Sequence, residues 1–181
     1  GYGSGHVDNA NAKNFMTAMR AAGFNVNTEL NNFYTNCGYR RTAGQGQISL
    51  SPMNNSCNEC PWNKYPSSVR SSFGNFPTAI ITLSRDGGEG APWDPDLTNV
   101  VNDGLPFSVA HNDIDARFRN NNYLQLTKEE KEMIEQVLSL KQSGVFGKVV
   151  LLLNSANTMQ MDILSTYNEI DAILAVGMGG T

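Results

Sequence analysis

Three short apolar runs separated by helical patterns constrain the fold of this chain more than any other feature. The runs cover residues 78–84, 148–153 and 171–176 and are rich in aliphatic side chains, which is typical of buried strands. From residue 60 onwards the order is helix, strand, loop, helix, strand, helix, strand. This alternation predicts an α/β fold, a three-layer α/β/α sandwich with a mostly parallel sheet, because each helix returns the chain for another parallel strand.

The clearest helical pattern covers residues 127–141. Thr127 and Glu130 form a capping box at its start, and Gly144 stands just beyond its end. The other predicted helices share an apolar stripe or a start signal. The first covers residues 10–22, with Phe15, Met19 and Ala22 on one face and Gly23 as a stop, and the second is opened by Asn27, Thr28 and Glu29, with Leu30, Phe33 and Tyr34 as core residues. The third covers residues 66–73, with Pro66 in its first turn, and the fourth contains Met159, Ile163 and Leu164.

The size and charge of the chain narrow the possible classes of function. Its 181 residues are enough for one domain with a hydrophobic core, so we expect a single α/β-sandwich domain over residues 1–181. The net charge is -4 and there is no basic stripe, which argues against binding to nucleic acid or to an anionic membrane. No apolar run approaches the roughly 18 residues of a membrane span. Both ends look as though the chain were cut from a longer protein.

The cysteines and histidines give no clear metal or redox motif. Cys57 and Cys60 form one C-x-x-C in a loop rich in Asn, Ser and Pro, whereas a redox pair normally begins a helix. A zinc site would need two more ligands, for which Cys37, His6 and His111 are the candidates. We therefore interpret the pair as an incidental thiol pair or a loop staple, and we predict no cofactor.

A glycine-rich loop directly after the first predicted strand holds the best candidate for chemistry. Gly87, Gly88 and Gly90 surround Glu89, and glycine allows a loop to approach a ligand closely. Open α/β sheets bind ligands at the carboxyl ends of their strands, so we expect Glu89 at such an edge. A solvated glutamate in a turn is the alternative interpretation. Nucleotide binding is disfavoured, because no strand leads into a G-x-G-x-x-G helix start and no G-x-x-x-x-G-K-[ST] occurs.

The residues of this loop resemble a known family. The segment Ser84-Arg-Asp-Gly-Gly-Glu-Gly90 is similar to the acid/base loop of glycoside hydrolase family three, the β-glucosidase and β-xylosidase group. Other segments resemble the α/β-sandwich domain of that family, and they occur in the same order with similar spacing. They are Gly1-Tyr-Gly-Ser-Gly5, Tyr123-Leu-Gln-Leu-Thr-Lys-Glu-Glu130, Val149-Val-Leu-Leu-Leu-Asn-Ser-Ala-Asn157 and Ile170-Asp-Ala-Ile-Leu174. The resemblance covers nearly the whole chain.

The resemblance implies a fold and a division of roles between two domains. It implies a six-stranded α/β sandwich whose first strand is missing here, which would leave an open sheet edge and favour a homodimer. It implies that Glu89 is the general acid/base of a retaining β-glycosidase, acting on terminal β-linked glucose or xylose in oligosaccharides or glycosides. The aspartate nucleophile would belong to a (β/α)-barrel domain of the same parent protein, so the isolated chain is expected to be inactive. The alternative is a non-catalytic, flavodoxin-like binding or interaction domain.

Overall fold

The computed structural model describes residues 14–36, 59–85, 125–126, 128–155 and 159–176. The helices in these ranges are α1 (Phe15–Ala21), α2 (Thr28–Asn36), α3 (Ser67–Ser72) and α4 (Lys128–Gln142), and the strands are β1 (Thr78–Arg85), β2 (Lys148–Ser155) and β3 (Ala172–Val176). Shorter 3-10 helices cover Trp62–Lys64, Phe73–Asn75 and Asp162–Thr166.

The three strands form one parallel sheet in the order β1-β2-β3. β1 pairs with β2 along its whole length, beginning with Thr78 opposite Lys148. β3 pairs with β2 from Ala172 opposite Val150 onwards. The three predicted strands are confirmed, since each boundary lies within two residues of its predicted position, and so is their parallel arrangement. The chain therefore has an α/β fold.

One face of the sheet is buried against helices. Because side chains alternate along a strand, Ile81 and Leu83 of β1 share this face with Val149 and Leu151 of β2, and each of the four is at most 3% exposed. They form one hydrophobic core with buried residues of the helices and of the segments between them. These residues include Val69, Phe73, Met133, Ile134, Val137, Leu138, Phe146 and Leu164.

The opposite face of the sheet carries apolar side chains that remain accessible. Ile80 of β1 is 40% exposed, and Leu174 and Val176 of β3 are 52% and 45% exposed, although Leu152 of β2 is buried between its neighbours. Within the described ranges, the side chains of this face are not part of the core cluster. The described residues therefore establish the α/β fold, but not the second helical layer of the predicted three-layer sandwich.

α4 fits its predicted span to within one residue at each end, and its apolar stripe is buried as predicted. The helix ends at Gln142, and Gly144, two residues further on, has a φ of +82°, a left-handed conformation that favours glycine. The Gly144 N–H donates to the carbonyl of Lys141, and the Val145 N–H donates to the carbonyl of Leu140, both at 2.9 Å. This pair of hydrogen bonds satisfies carbonyls that the helix leaves without a partner. The predicted capping residue Thr127 lies outside the described residues.

α1 exists as predicted, but its apolar side chains are not buried. It begins after Asn14, whose Oδ1 accepts the Thr17 N–H at 2.8 Å, and it ends at Gly23, which has a φ of +88°. None of its residues is buried, and Phe15 is 47% exposed. The predicted apolar face is therefore not part of the core. The predicted first turn, residues 10–13, lies outside the described residues.

α2 and α3 follow their predictions closely. Leu30, Phe33 and Tyr34 of α2 pack against the core, as predicted for the apolar residues of that helix. The α2 N-terminus is capped by Asn27, whose Oδ1 accepts the Leu30 N–H at 3.0 Å. Pro66 is the residue before α3 rather than a member of its first turn. Proline tolerates both positions because neither requires a backbone N–H.

The helix predicted after β2 is a 3-10 helix at Asp162–Thr166, which contains Ile163 and Leu164 but not Met159, so the prediction was wrong in the type of helix and in the place of Met159. Two hydroxyl groups compete for the carbonyls that an α-helix would use. Ser165 Oγ donates to the Asp162 carbonyl and Thr166 Oγ1 donates to the Ile163 carbonyl, both at 2.6 Å. Such local hydrogen bonds offer the backbone an alternative to the α-helical ladder.

A carboxylate closes the amino end of the sheet. Asp171, just before β3, accepts the Val149 N–H on Oδ2 at 2.7 Å and donates its own N–H to the Val149 carbonyl at 2.9 Å. Lys141, in the last turn of α4, donates to the same Oδ2 at 2.6 Å. The hydrogen bond from Lys141, followed by the backbone hydrogen bond from Val149, lowers the pKa of Asp171. Asp171 therefore connects β2, β3 and α4 at this end.

Candidate functional site

The carboxyl ends of the strands lie side by side at one edge of the sheet. Ser84 is opposite Asn154, and Arg85 is opposite Ser155. Asn154 is in turn opposite Val176 at the end of β3. The segments that follow the three strands therefore leave from a common edge, which is where open α/β sheets bind ligands.

Glu89, the predicted general acid/base, lies outside the described residues. In the sequence it follows Arg85, the last residue of β1, by four positions. The other candidates that lie outside the described residues are Cys37, Cys57, His6 and His111.

Cys60 is the member of the C-x-x-C that the structure describes. Its side chain is 1% exposed and belongs to the hydrophobic core, and it forms no disulfide with another described residue. Within the described ranges, no group of three or more His, Cys, Asp or Glu side chains is placed to hold a metal ion. Core packing is thus the role that the geometry gives to Cys60, while a thiol pair or staple with Cys57 stays a prediction.

A largely buried cluster of one carboxyl and two phenol groups joins α2 to the segment before α3. Oε1 of Glu59 accepts hydrogen bonds from the hydroxyl of Tyr34 at 2.7 Å, from the hydroxyl of Tyr65 at 2.9 Å and from the N–H of Cys60 at 2.8 Å. The hydroxyls of Tyr34 and Tyr65 also contact each other. Three oxygen atoms thus form a triangle in which each is within hydrogen-bond distance of the other two.

This tyrosine–glutamate cluster lies toward the carboxyl end of the sheet. α4 connects the carboxyl end of β1 to the amino end of β2, so its first turn lies near the carboxyl end. Glu130 belongs to that turn and is 4% exposed. The negative charge of Glu130 raises the pKa of Glu59, so the two carboxyl groups are close to each other. The cluster therefore lies at the same end of the sheet as the carboxyl end of β1.

Burial dominates the electrostatics of the cluster. Burial raises the pKa of Glu59; the hydrogen bonds from Tyr34, Tyr65 and the Cys60 N–H oppose that change in part, and the charge of Glu130 adds to it. Burial also raises the pKa of Tyr34 and of Tyr65, and in both cases the charge of Glu59 is the next cause.

Aromatic rings pack around Tyr65, the buried member of the cluster. The ring of Tyr65 lies 4.6 Å from that of Phe33 and 4.7 Å from that of Trp62, centroid to centroid. The rings of Tyr34 and Tyr65 are perpendicular, with centroids 6.0 Å apart. Sequence reasoning missed this cluster, because Tyr34 and Glu59 are 25 positions apart and no short spacing links them. The amphipathic pattern of α2 indicated only that Tyr34 would face the core.

An open groove of about 370 Å³ lies between α2 and the start of α3. Its walls come from one face of α2 and from the first turn of α3, and none of the sequence-predicted site residues lines it. The lining residues are Glu29, Asn32, Phe33, Asn36, Pro66, Ser68 and Val69. The groove and the predicted acid/base loop, residues 84–90, therefore have no residue in common.

Comparisons of this chain with protein-family models, with curated proteins and with solved structures found no match. Among the helices in the described ranges, none has the length and apolar character needed to cross a membrane.

Proposed function

We propose that this chain is the acid/base-bearing α/β-sandwich domain of a retaining β-glycosidase, with Glu89 as the general acid/base. One observation carries the proposal. The segment 84–90, which resembles the acid/base loop of glycoside hydrolase family three, begins in the last two residues of a parallel strand, β1. A loop at that edge can reach a substrate held outside the sheet.

The chemistry requires a second domain. Retaining hydrolysis uses two carboxyl groups about 5–5.5 Å apart, one as nucleophile and one as acid and then base. No segment of this chain resembles the nucleophile strand of the family, so the nucleophile would come from a (β/α)-barrel domain of the same parent protein. The terminal β-linked sugar, glucose or xylose, would lie in the cleft between the two domains, a common place for a ligand site. The isolated chain would then be inactive.

The finer architecture also belongs to this proposal. Parallel sheets are usually covered on both faces, and the accessible apolar residues Ile80, Leu174 and Val176 are what a second helical layer of a three-layer sandwich would cover. Among the described strands, β1 pairs with β2 alone, so its other edge could accept a further strand, as the six-stranded sandwich of the family requires. In the isolated chain the same edge could pair with a second copy and give a homodimer.

The experiment that tests the function is the Glu89→Gln substitution in the full-length parent protein. A general acid matters most when the leaving group is poor, so hydrolysis of an unactivated disaccharide should be lost. Activated aryl glycosides should still form the glycosyl-enzyme, and azide should accelerate its breakdown because azide needs no general base. Asp86→Asn removes a charge from the same loop and is the matched control, which should respond to azide no differently from the wild type.

Near wild-type disaccharide hydrolysis by Glu89→Gln would end the acid/base assignment. Release of nitrophenol from aryl β-glucosides by the purified 181-residue chain would contradict the two-domain reading, because the chain would then carry its own nucleophile. A parent protein that lacks a barrel domain would favour the alternative, a non-catalytic flavodoxin-like binding domain.

A further inference from the structure

The tyrosine–glutamate cluster has three oxygen–oxygen contacts, one more than the protons of its two phenol groups can satisfy. Three oxygen–oxygen contacts join Tyr34, Glu59 and Tyr65. An ionised carboxylate only accepts hydrogen bonds, so the two phenols would supply two protons for three contacts. A protonated Glu59 supplies the third proton. In that state the Tyr34 contact reverses its direction: Oε1 of Glu59 donates to Tyr34, Tyr34 donates to Tyr65, and Tyr65 donates back to Oε1.

The surroundings of Glu59 favour the same protonation state. Among the described residues, the titratable groups that act on the cluster are Tyr34 from α2, Tyr65 and Cys60 from the segment of Glu59, and Glu130 from the first turn of α4. All of them are neutral or negative at neutral pH. Because burial disfavours a charge and Glu130 repels a second one, the pKa of Glu59 is raised.

We propose that this cluster is a pH-operated clasp: protonated Glu59 completes a ring of three hydrogen bonds that holds α2 against the segment 59–65, and ionisation of Glu59 loosens α2. The physical reason is proton counting. Each phenol has one proton, so an ionised Glu59 that keeps both of its hydrogen bonds leaves the contact between the hydroxyls of Tyr34 and Tyr65 without a proton. That contact must then open. The clasp depends on the described residues alone and not on the proposed glycosidase activity.

The direction of the pH effect follows from linkage. A carboxyl whose pKa is raised by folding contributes stability that is fully present below its ordinary pKa, and that is lost as pH rises through the raised pKa. Between the two pKa values, each opening of the clasp releases one proton. The population of opened α2 should therefore rise by up to tenfold for each pH unit in that window.

The protonation state can be measured directly. In the 181-residue chain with glutamate labelled at the carboxyl carbon, NMR titration should show one carboxyl that titrates above the ordinary range. Glu59→Gln should remove that signal, whereas Glu29→Gln, at an exposed position in the first turn of α2, should retain it. The proposal is overturned if all glutamates titrate in the ordinary range, or if the shifted signal persists in Glu59→Gln.

Hydrogen exchange measures the release of α2. Protection of the α2 amides should fall with rising pH through the titration of Glu59, whereas protection of the α4 amides in the same sample should not. In Glu59→Gln the pH dependence of α2 protection should disappear, and in Tyr34→Phe the α2 amides should be weakly protected already at low pH. If neither variant folds, the measurement on the wild-type chain still tests the proposal. Protection of the α2 amides that does not change across the titration of Glu59 would contradict the clasp.

Discussion

Glu59 and Asp171 are carboxyl groups near opposite ends of the same sheet, and their surroundings give them opposite properties. Asp171, at the amino end, is bound by the ammonium group of Lys141 and by the Val149 N–H, which lower its pKa. Glu59, toward the carboxyl end, is surrounded by two phenols and aromatic rings, and burial raises its pKa. Both groups accept strong hydrogen bonds. The pKa values shift in opposite directions because Asp171 has a cationic partner, Lys141, and more access to solvent than Glu59.

The comparison shows that hydrogen bonds alone do not keep a buried carboxylate ionised. Glu59 is within reach of three donors and still has a raised pKa, because those donors are neutral and partial burial removes water from around the carboxyl group. Asp171 is more accessible and keeps its charge with the help of Lys141. The two ends of the sheet should therefore respond to pH in opposite directions, which allows each to be perturbed without the other.

The largest expected effect is that of Glu59→Ala. This substitution leaves both buried phenol hydroxyls without their carboxyl acceptor and opens a small cavity, and such changes together cost about 2–3 kcal/mol of unfolding free energy. Urea unfolding of both proteins measures the difference. Glu29→Ala, in the exposed first turn of α2, is the control and should change the free energy by less than about 0.5 kcal/mol. Equal midpoints for the two variants would mean that the cluster contributes nothing to stability.

Substituting Glu59 and Asp171 should change the pH dependence of the unfolding free energy in opposite directions. The contribution of Glu59 is present at low pH and is lost as pH rises through its raised pKa, so Glu59→Gln should gain stability relative to the wild type toward neutral pH. The contribution of Asp171 is present above its ordinary pKa and is lost as pH falls through its lowered pKa, so the advantage of the wild type over Asp171→Asn should shrink in acid. Unfolding free energies over this pH range test both. Parallel slopes for the two variants would refute the contrast.

The sequence was sufficient for the parts of the fold that local patterns determine. The aliphatic runs that became β1, β2 and β3 could be predicted because a buried parallel strand needs continuous apolar residues. Gly144 could be predicted because the end of α4 needs a left-handed residue. For Phe15 the pattern of α1 showed which side is apolar, but a helical pattern does not show whether another element covers that side. The exposure of Phe15 therefore could not be predicted from the pattern.

The functional sites were less predictable for a different reason. Glu89 could be singled out because a glycine loop after a strand is a local signal, and its role stays a prediction. The contact between Tyr34 and Glu59 could not be predicted, because it joins residues that are 25 positions apart. Asp171 looked like an ordinary residue before a strand, since its partners Lys141 and Val149 are distant along the chain. Side-chain partners across elements depend on the packed structure, which spacing in one sequence does not encode.

A smaller effect is expected for Gly144→Ala at the end of α4. A φ of +82° is unfavourable for a residue with a Cβ, and the substitution should cost about 1 kcal/mol. Gly74→Ala is the control, because an added Cβ there meets nothing within 4 Å and no left-handed φ is involved. Gly144 follows Lys141 by three residues, so in a double mutant with Asp171→Asn the two losses should be less than additive. Strict additivity in urea unfolding would indicate that the helix end and the Asp171 contacts are independent.

The smallest effect is expected for Lys148→Ala, and it tests what holds Asp171 ionised. Lys148 Nζ lies 4.0 Å from Asp171 Oδ1 and its side chain is 70% exposed, whereas Lys141 Nζ lies 2.6 Å from Oδ2 and is 21% exposed. Exposed ion pairs contribute little because water and salt screen them. Because the charge of Lys148 is the smallest of the causes that lower the pKa of Asp171, Lys148→Ala should raise that pKa only slightly and leave the urea midpoint unchanged within error. Lys141→Met, which keeps most of the apolar stem, should raise the pKa of Asp171 toward its ordinary value.

If the two lysine variants raised that pKa equally, the general positive field near the amino end, rather than the single hydrogen bond from Lys141, would account for the lowered pKa. The NMR titration of Asp171 in the two variants distinguishes these explanations, because a field effect weakens with added salt and a short hydrogen bond responds far less.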